Sequence, residues 1–149
     1  MTRPTPDAIR AVLDSHPTLG GSGWHTRSAV RGWGWDDRPG RADRDLEDLR
    51  SDHSITVIAA VAEWLSQWRT IKAAHAGSPH SYMLKHYAEM ALTCHPDVLG
   101  YVSNGQLIAA AYVIAYPVAH CYPNSPDSEI GIRVTELKKM PQQRVRTAP

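Results

Sequence analysis

Ser54-Ile-Thr-Val-Ile-Ala-Ala-Val-Ala-Glu-Trp-Leu-Ser-Gln-Trp-Arg-Thr-Ile-Lys-Ala-Ala-His-Ala76 decides the fold class. Ile55, Ile58, Val61, Ala62, Leu65, Trp68 and Ile71 recur at steps of three and four residues, which places apolar side chains on one helical face. Ser54 offers a capping hydroxyl and Gly77 a terminator. The spacing predicts a long amphipathic core helix over 54–76.

Downstream, Ser78-Pro79 opens a second helix, in which Met83, Leu84, Tyr87, Ala88, Ala91 and Leu92 alternate with Lys85, His86 and Glu89. His95-Pro96 breaks it. Ser103-Asn104 caps a third helix over 105–116 with hardly any polar face, which calls for a central position. Pro117, Pro123 and Pro126 make an extended connection, and Glu129 to Val134 alternates like one short strand. Residues 141–149 read as a basic flexible tail.

Upstream, Thr5-Pro6-Asp7 is a helix start carrying Ile9, Val12 and Leu13 on one face as far as Ser15 or His16. From Gly20 to Gly40 no period survives, and Trp24, Trp33 and Trp35 interleave with Arg27, Arg31 and Arg38. That stretch is expected to be a long loop, and Ala42 to Asp52 a solvated helical turn or two. The expected architecture is mainly α: a helical bundle of about five helices in one domain over 1–140, with a Trp/Arg-rich loop and at most one short C-terminal strand.

At 149 residues the chain is long enough to bury roughly 68–70% of its unfolded surface without structural props. Two cysteines are too few for a disulfide framework and the first residues lack an apolar signal core, so the expected compartment is the cytoplasm. No window reaches the ~18 apolar residues of a membrane span. The net charge of +1 conceals a segregation: residues 1–35 carry +2, 36–52 carry −3, 53–129 carry −2 and 130–149 carry +4. Twelve of the sixteen basic residues are Arg, the side chain better suited to phosphate contact.

The chain has no phosphate loop, dinucleotide fingerprint or nucleophile elbow, so it is not expected to be an enzyme, to need a cofactor or to take a small-molecule substrate. Cys94-His95 and His120-Cys121 contain zinc-binding residue types, but adjacent ligands lack the usual spacers and no metal site is expected. A helix-turn-helix is disfavoured by the roughly nine-residue connection between the second and third helices.

Three features permit contact with nucleic acid: the interleaved Trp and Arg residues, the cations Arg69, Lys72 and Lys85 near one helix junction, and the run Arg133, Lys138, Lys139 leading into the tail with Arg144 and Arg146. The tryptophans have two readings at this point. They either fill gaps in a helical core or form a binding surface, and composition does not choose between them.

The stretch Ser81-Tyr-Met-Leu-Lys-His-Tyr-Ala-Glu89, with Gly100-Tyr-Val-Ser-Asn-Gly-Gln-Leu-Ile-Ala-Ala-Ala111, resembles small proteins of plasmids, phages and integrative elements, mostly of unassigned function. The resemblance covers about a quarter of the chain, carries no catalytic motif and implies a mobile-element context. In size and helical architecture the chain also resembles the small subunits of multi-subunit CRISPR effector complexes. That likeness implies a non-catalytic ribonucleoprotein subunit contacting nucleic-acid backbone (RNA or DNA) and neighbouring protein subunits. Arg27, Arg31, Arg69, Lys72, Lys85, Arg133, Lys138 and Lys139 are then the expected phosphate-facing residues. The alternative is a phage- or plasmid-encoded inhibitor that binds a host protein through Trp24, Trp33 and Trp35.

Overall fold

A computed structural model of the chain describes residues 3–120 and 123–140. Its centre is the pair α4 (Asp52–Leu65) and α6 (Asn104–Val113), which pack against each other more extensively than any other two elements described. Most residues of both are buried, and the exposed face of α4 narrows to its first turn, Thr56 and Glu63. Around them pack α1 (Pro6–Ser15) and α5 (Ser81–Ala91), with α3 (Arg41–Leu49) closing one side. The fold is mainly helical, as its periodicities predict.

The caps at Thr5 and Ser103 match the sequence signals, whereas α4 is capped by Ser51, three residues ahead of the expected Ser54. Thr5 Oγ1 accepts from Ala8 N, Ser51 Oγ from Ser54 N, and Ser103 Oγ from Gln106 N, while Ser103 N donates back to Gln106 Oε1 at 2.8 Å. The Ser103 and Gln106 pair is a complete capping box and satisfies two helix-end donors inside the core.

The core helix is shorter than the expected 54–76. Tyr116 Oη donates to the carbonyls of Leu65 and Trp68, Gln67 Nε2 donates to Trp64 O, and Ser66 Oγ donates to Glu63 O. Side chains thus satisfy the carbonyls that a continuing helix would have used. The freed segment turns extended: Thr70 bridges Ile132, Ile71 N donates to Gly131 O, and Arg133 N donates to Arg69 O. α6 stops early because Ala115 adopts φ 58°, and Tyr116 N closes the helix end on Ala111 O.

Two further expectations are corrected. Residues 20–40 are not one loop: β1 (Leu19–Gly20) pairs antiparallel with β2 (Gly23–Trp24), and α2 (Arg27–Gly32) follows under a Thr26 cap. The limit of one strand also fails, because β3 (Val118–His120) pairs with β4 (Ser128–Ile130) in the register Val118 to Ile130. Strands of two or three residues are too short to leave a period in the sequence. A 3-10 turn (Val134–Lys138) ends the described chain, and the predicted tail over 141–149 lies outside the described residues.

No described helix is long and apolar enough to cross a membrane.

Candidate functional site

The predicted site residues fall into three places. The first is a basic seam. The backbone bond from Arg133 N to Arg69 O puts these two residues side by side, with Lys72 just beyond the ladder and Lys138 and Lys139 at the end of the following 3-10 turn. All five are exposed. Lys139 reaches Glu136 at 3.4 Å, whereas the other four pair with no acid among the described residues. Four of these five cations are therefore solvated and unneutralised, a surface able to meet phosphate.

The second place is the lobe around α2. Arg27 and Arg31 are exposed, and Arg31 lies 3.7 Å from Asp36. Trp33 and Trp35 are half-buried with ring centroids 4.5 Å apart, and Arg41 sits 5.4 Å over the Trp35 ring. Both indoles meet His25 edge to face. His25 Nε2 in turn donates to Asp45 Oδ2 at 2.7 Å, and the same carboxylate accepts from the backbone N and the hydroxyl of Ser22. Burial acts to raise the Asp45 carboxyl, but the bonds from His25 and Ser22 outweigh it and hold it below the usual carboxylate range. The His25 and Asp45 pair therefore fixes the tryptophan lobe to α3 and the first hairpin.

Trp24 does not belong to that lobe's surface. It is 6% exposed, donates from Nε1 to Ser128 Oγ at 2.7 Å, and packs against His120, His16 and Tyr112. Its expected place in a partner-binding surface is corrected to a core clamp, because the 104-residue separation from Ser128 is invisible to any local pattern.

Lys85 is corrected likewise. At 7% exposure it is not a surface cation; Nζ donates to Glu89 Oε1 at 3.1 Å and to Val102 O at 3.3 Å. Glu89 also accepts from Val102 N and bonds His86. The ammonium sits 5.3 Å from the ring centroids of both Tyr82 and Tyr101, so the rings are separated by at most twice that distance. Both rings stay more than half exposed.

These groups mark the third place, a cleft of about 430 Å³ walled by Tyr82, Tyr101, Trp33 and the turn at Gly21-Ser22, with Lys85, Asn104 and Asp127 in its lining. Asn104 Nδ2 donates to Asp127 Oδ1 at 2.9 Å and to the carbonyls of Ser22 and Pro126. Three acceptors fix the amide's orientation and leave Asn104 Oδ1 buried without a hydrogen-bond partner among the described residues. Burial raises the Asp127 carboxyl, more strongly than the bond from Asn104 and the charge of His80 lower it. Asn104 Oδ1 is thus a buried acceptor shut off from solvent beneath the cleft, whereas the Asp127 carboxyl belongs to its lining.

Sequence reading missed Tyr82, Tyr101 and Asp127. Tyr82 stands three residues before Lys85, a helical neighbour spacing that does signal contact. Tyr101 and Asp127 arrive from segments with no period of their own. Cys121 lies outside the described residues, and among those described no group of three or more His, Cys, Asp or Glu side chains is placed to hold a metal ion. No family model, curated protein or solved structure matches the chain.

Proposed function

We propose that the chain is a non-catalytic helical subunit of a nucleoprotein assembly that contacts the nucleic-acid backbone through Arg69, Lys72, Arg133, Lys138 and Lys139. The observation that carries this reading is the pairing of Arg69 with Arg133 on one extended ladder, with the exposed Lys72, Lys138 and Lys139 within six residues of it along the chain and four of the five cations without an acidic partner among the described residues. Phosphate contact at such a seam is independent of base sequence and weakens with salt. Arg27 and Arg31 offer a second, smaller approach on α2.

The test is the variant Arg69→Ala/Lys72→Ala/Arg133→Ala, with binding to single-stranded RNA and DNA followed across a salt series. Leaving three phosphates of a single strand unneutralised flattens the logarithmic salt slope by about 2. The affinity loss is uniform across sequences. An unchanged slope overturns the assignment of this seam. Because all three side chains are exposed, the fold itself shifts by only about 0.5 kcal/mol.

A protein partner is the second reading, favoured by the contact of Trp33 and Trp35 under Arg41. Aromatic and Arg side chains are common interface anchors. Trp35→Ala separates the two: loss of a protein partner with unchanged nucleic-acid affinity selects the inhibitor reading.

A further inference from the structure

We infer that the groove running from Leu137 past Tyr82 and Tyr101 to Asp48 is the docking surface for residues 141–149 of the same chain, Pro-Gln-Gln-Arg-Val-Arg-Thr-Ala-Pro, with Arg144 and Arg146 set against its carboxylates. None of the seam's cations enters into this, so it stands apart from the nucleic-acid reading above.

The groove is built from three clefts with common walls. The first, of about 460 Å³, has Leu137 in its lining and shares Tyr82 and Asp127 with the cleft of about 430 Å³ described above. That cleft in turn shares Tyr101 with a third, of about 410 Å³, whose lining includes Leu99, Asp45 and Asp48. Leu137 stands three residues before Met140, the last described residue, so the groove opens where residues 141–149 begin. Nine extended residues reach roughly 30 Å, about the diameter of a small domain, and span such a groove without leaving their own molecule. Attachment through Met140 also holds the segment at an effective concentration on the order of millimolar, so a weak contact suffices to populate it.

The surface of the groove calls for a cover of this chemistry. Tyr82, Leu99 and Tyr101 are three of the five large apolar side chains that stay exposed among the described residues, and all three line it. Leu99 is 74% exposed and has φ 54°, a backbone region that favours glycine, so neither its side chain nor its conformation serves the core. The charges decide the occupant. Asp45, Asp48 and Asp127 face one cation among the lining Lys and Arg side chains, Lys85, which Glu89 at 3.1 Å already neutralises. Asp48 and Asp127 pair with no Lys or Arg among the described residues. A nucleic-acid strand meets net repulsion there, whereas a segment with two Arg around one Val and no acid is attracted.

The experiment uses the full chain labelled with 15N and reads each partner while the other is changed. Arg144→Glu/Arg146→Glu is expected to move the amide signals of Ser22, Leu99 and Tyr101 and the indole signal of Trp33. Asp48→Lys is expected to move the amides of Val145 and Arg146, which are far from it in sequence. Asp48 is exposed, and the dispersion of each variant's own spectrum checks that it is folded. Absence of either movement overturns the docking. Groove signals that shift when the parent chain is diluted about tenfold overturn it as well, because they assign the groove to residues 141–149 of a second copy.

Discussion

Lys85 and Glu89 form an ion pair whose side chains are 9% and 20% exposed, one helical turn apart on α5. Removing one partner of such a pair leaves a desolvated charge, so Glu89→Gln is expected to cost about 2–4 kcal/mol, measured by urea unfolding. Lys85→Met leaves the less buried Glu89 charge, still hydrogen-bonded to Val102 N and His86, and costs less than Glu89→Gln; the reverse order refutes Lys85 as the more desolvated partner. Asp45 gives a pH signature. Its carboxyl is held below the ordinary range, so its contribution to stability is fully present above the unfolded carboxylate pKa and is lost as pH falls through the lower, folded value. Asp45→Asn removes this acid limb, and unfolding free energy followed from about pH 5 to pH 2 shows a shallower fall than in the parent chain. Asp127 works in the opposite sense, since a raised carboxyl costs stability once pH exceeds its unfolded value, and Asp127→Asn relieves that cost near neutrality. Little of this chemistry is legible in the sequence. Lys85, Glu89 and Asn104 are visible as helix residues, but whether a helical cation faces water or a tyrosine pair depends on Tyr101, which reaches it from a non-periodic segment.

At the scale of elements, α6 is set by two backbone positions that pull in opposite directions. Gly105 N donates to Gly21 O at 2.9 Å, and a Cβ on Gly105 would run into the Gly20 carbonyl. Gly105→Ala is expected to destabilise by about 1–3 kcal/mol through overpacking, despite the better helix propensity of alanine. Ala115, at φ 58°, carries a Cβ in a conformation that favours glycine. Ala115→Gly is expected to stabilise by about 0.5–1 kcal/mol. Chemical denaturation of both variants checks the pair, and stabilisation by Gly105→Ala refutes the close approach. Apolar spacing makes α1, α4, α5 and α6 legible, and Thr5 and Ser103 mark starts that local chemistry fixes, but the start of α4 is set by Ser51 and not by the expected Ser54. The ends are not legible: α4 is stopped at Leu65 by a hydroxyl from Tyr116, and Arg50, read as part of a solvated charge run, donates to the carbonyls of Leu13, His16, Leu19 and Leu46. Both are tertiary interactions that override a local pattern.

At the scale of the whole molecule, β4 and the residues beside it gather the chain. Trp24 bonds Ser128 and Pro126 O, His80 bridges Glu129, Ile130 N donates to Pro79 O, Val118 pairs with Ile130, and Thr70 bridges Ile132. Removing residues 127–149 is therefore expected to abolish cooperative unfolding while leaving helical signal in the far-ultraviolet spectrum; a truncated chain that melts cooperatively refutes this. The order of synthesis gives the same strand a further meaning. A ribosome must deliver Ile132 before the segments around residues 24, 70, 80 and 118 have their common partner. Until then α5 and α6 lack the strand that packs against both of them, so the contacts made by β4 close late in chain order, at the cost of long loops.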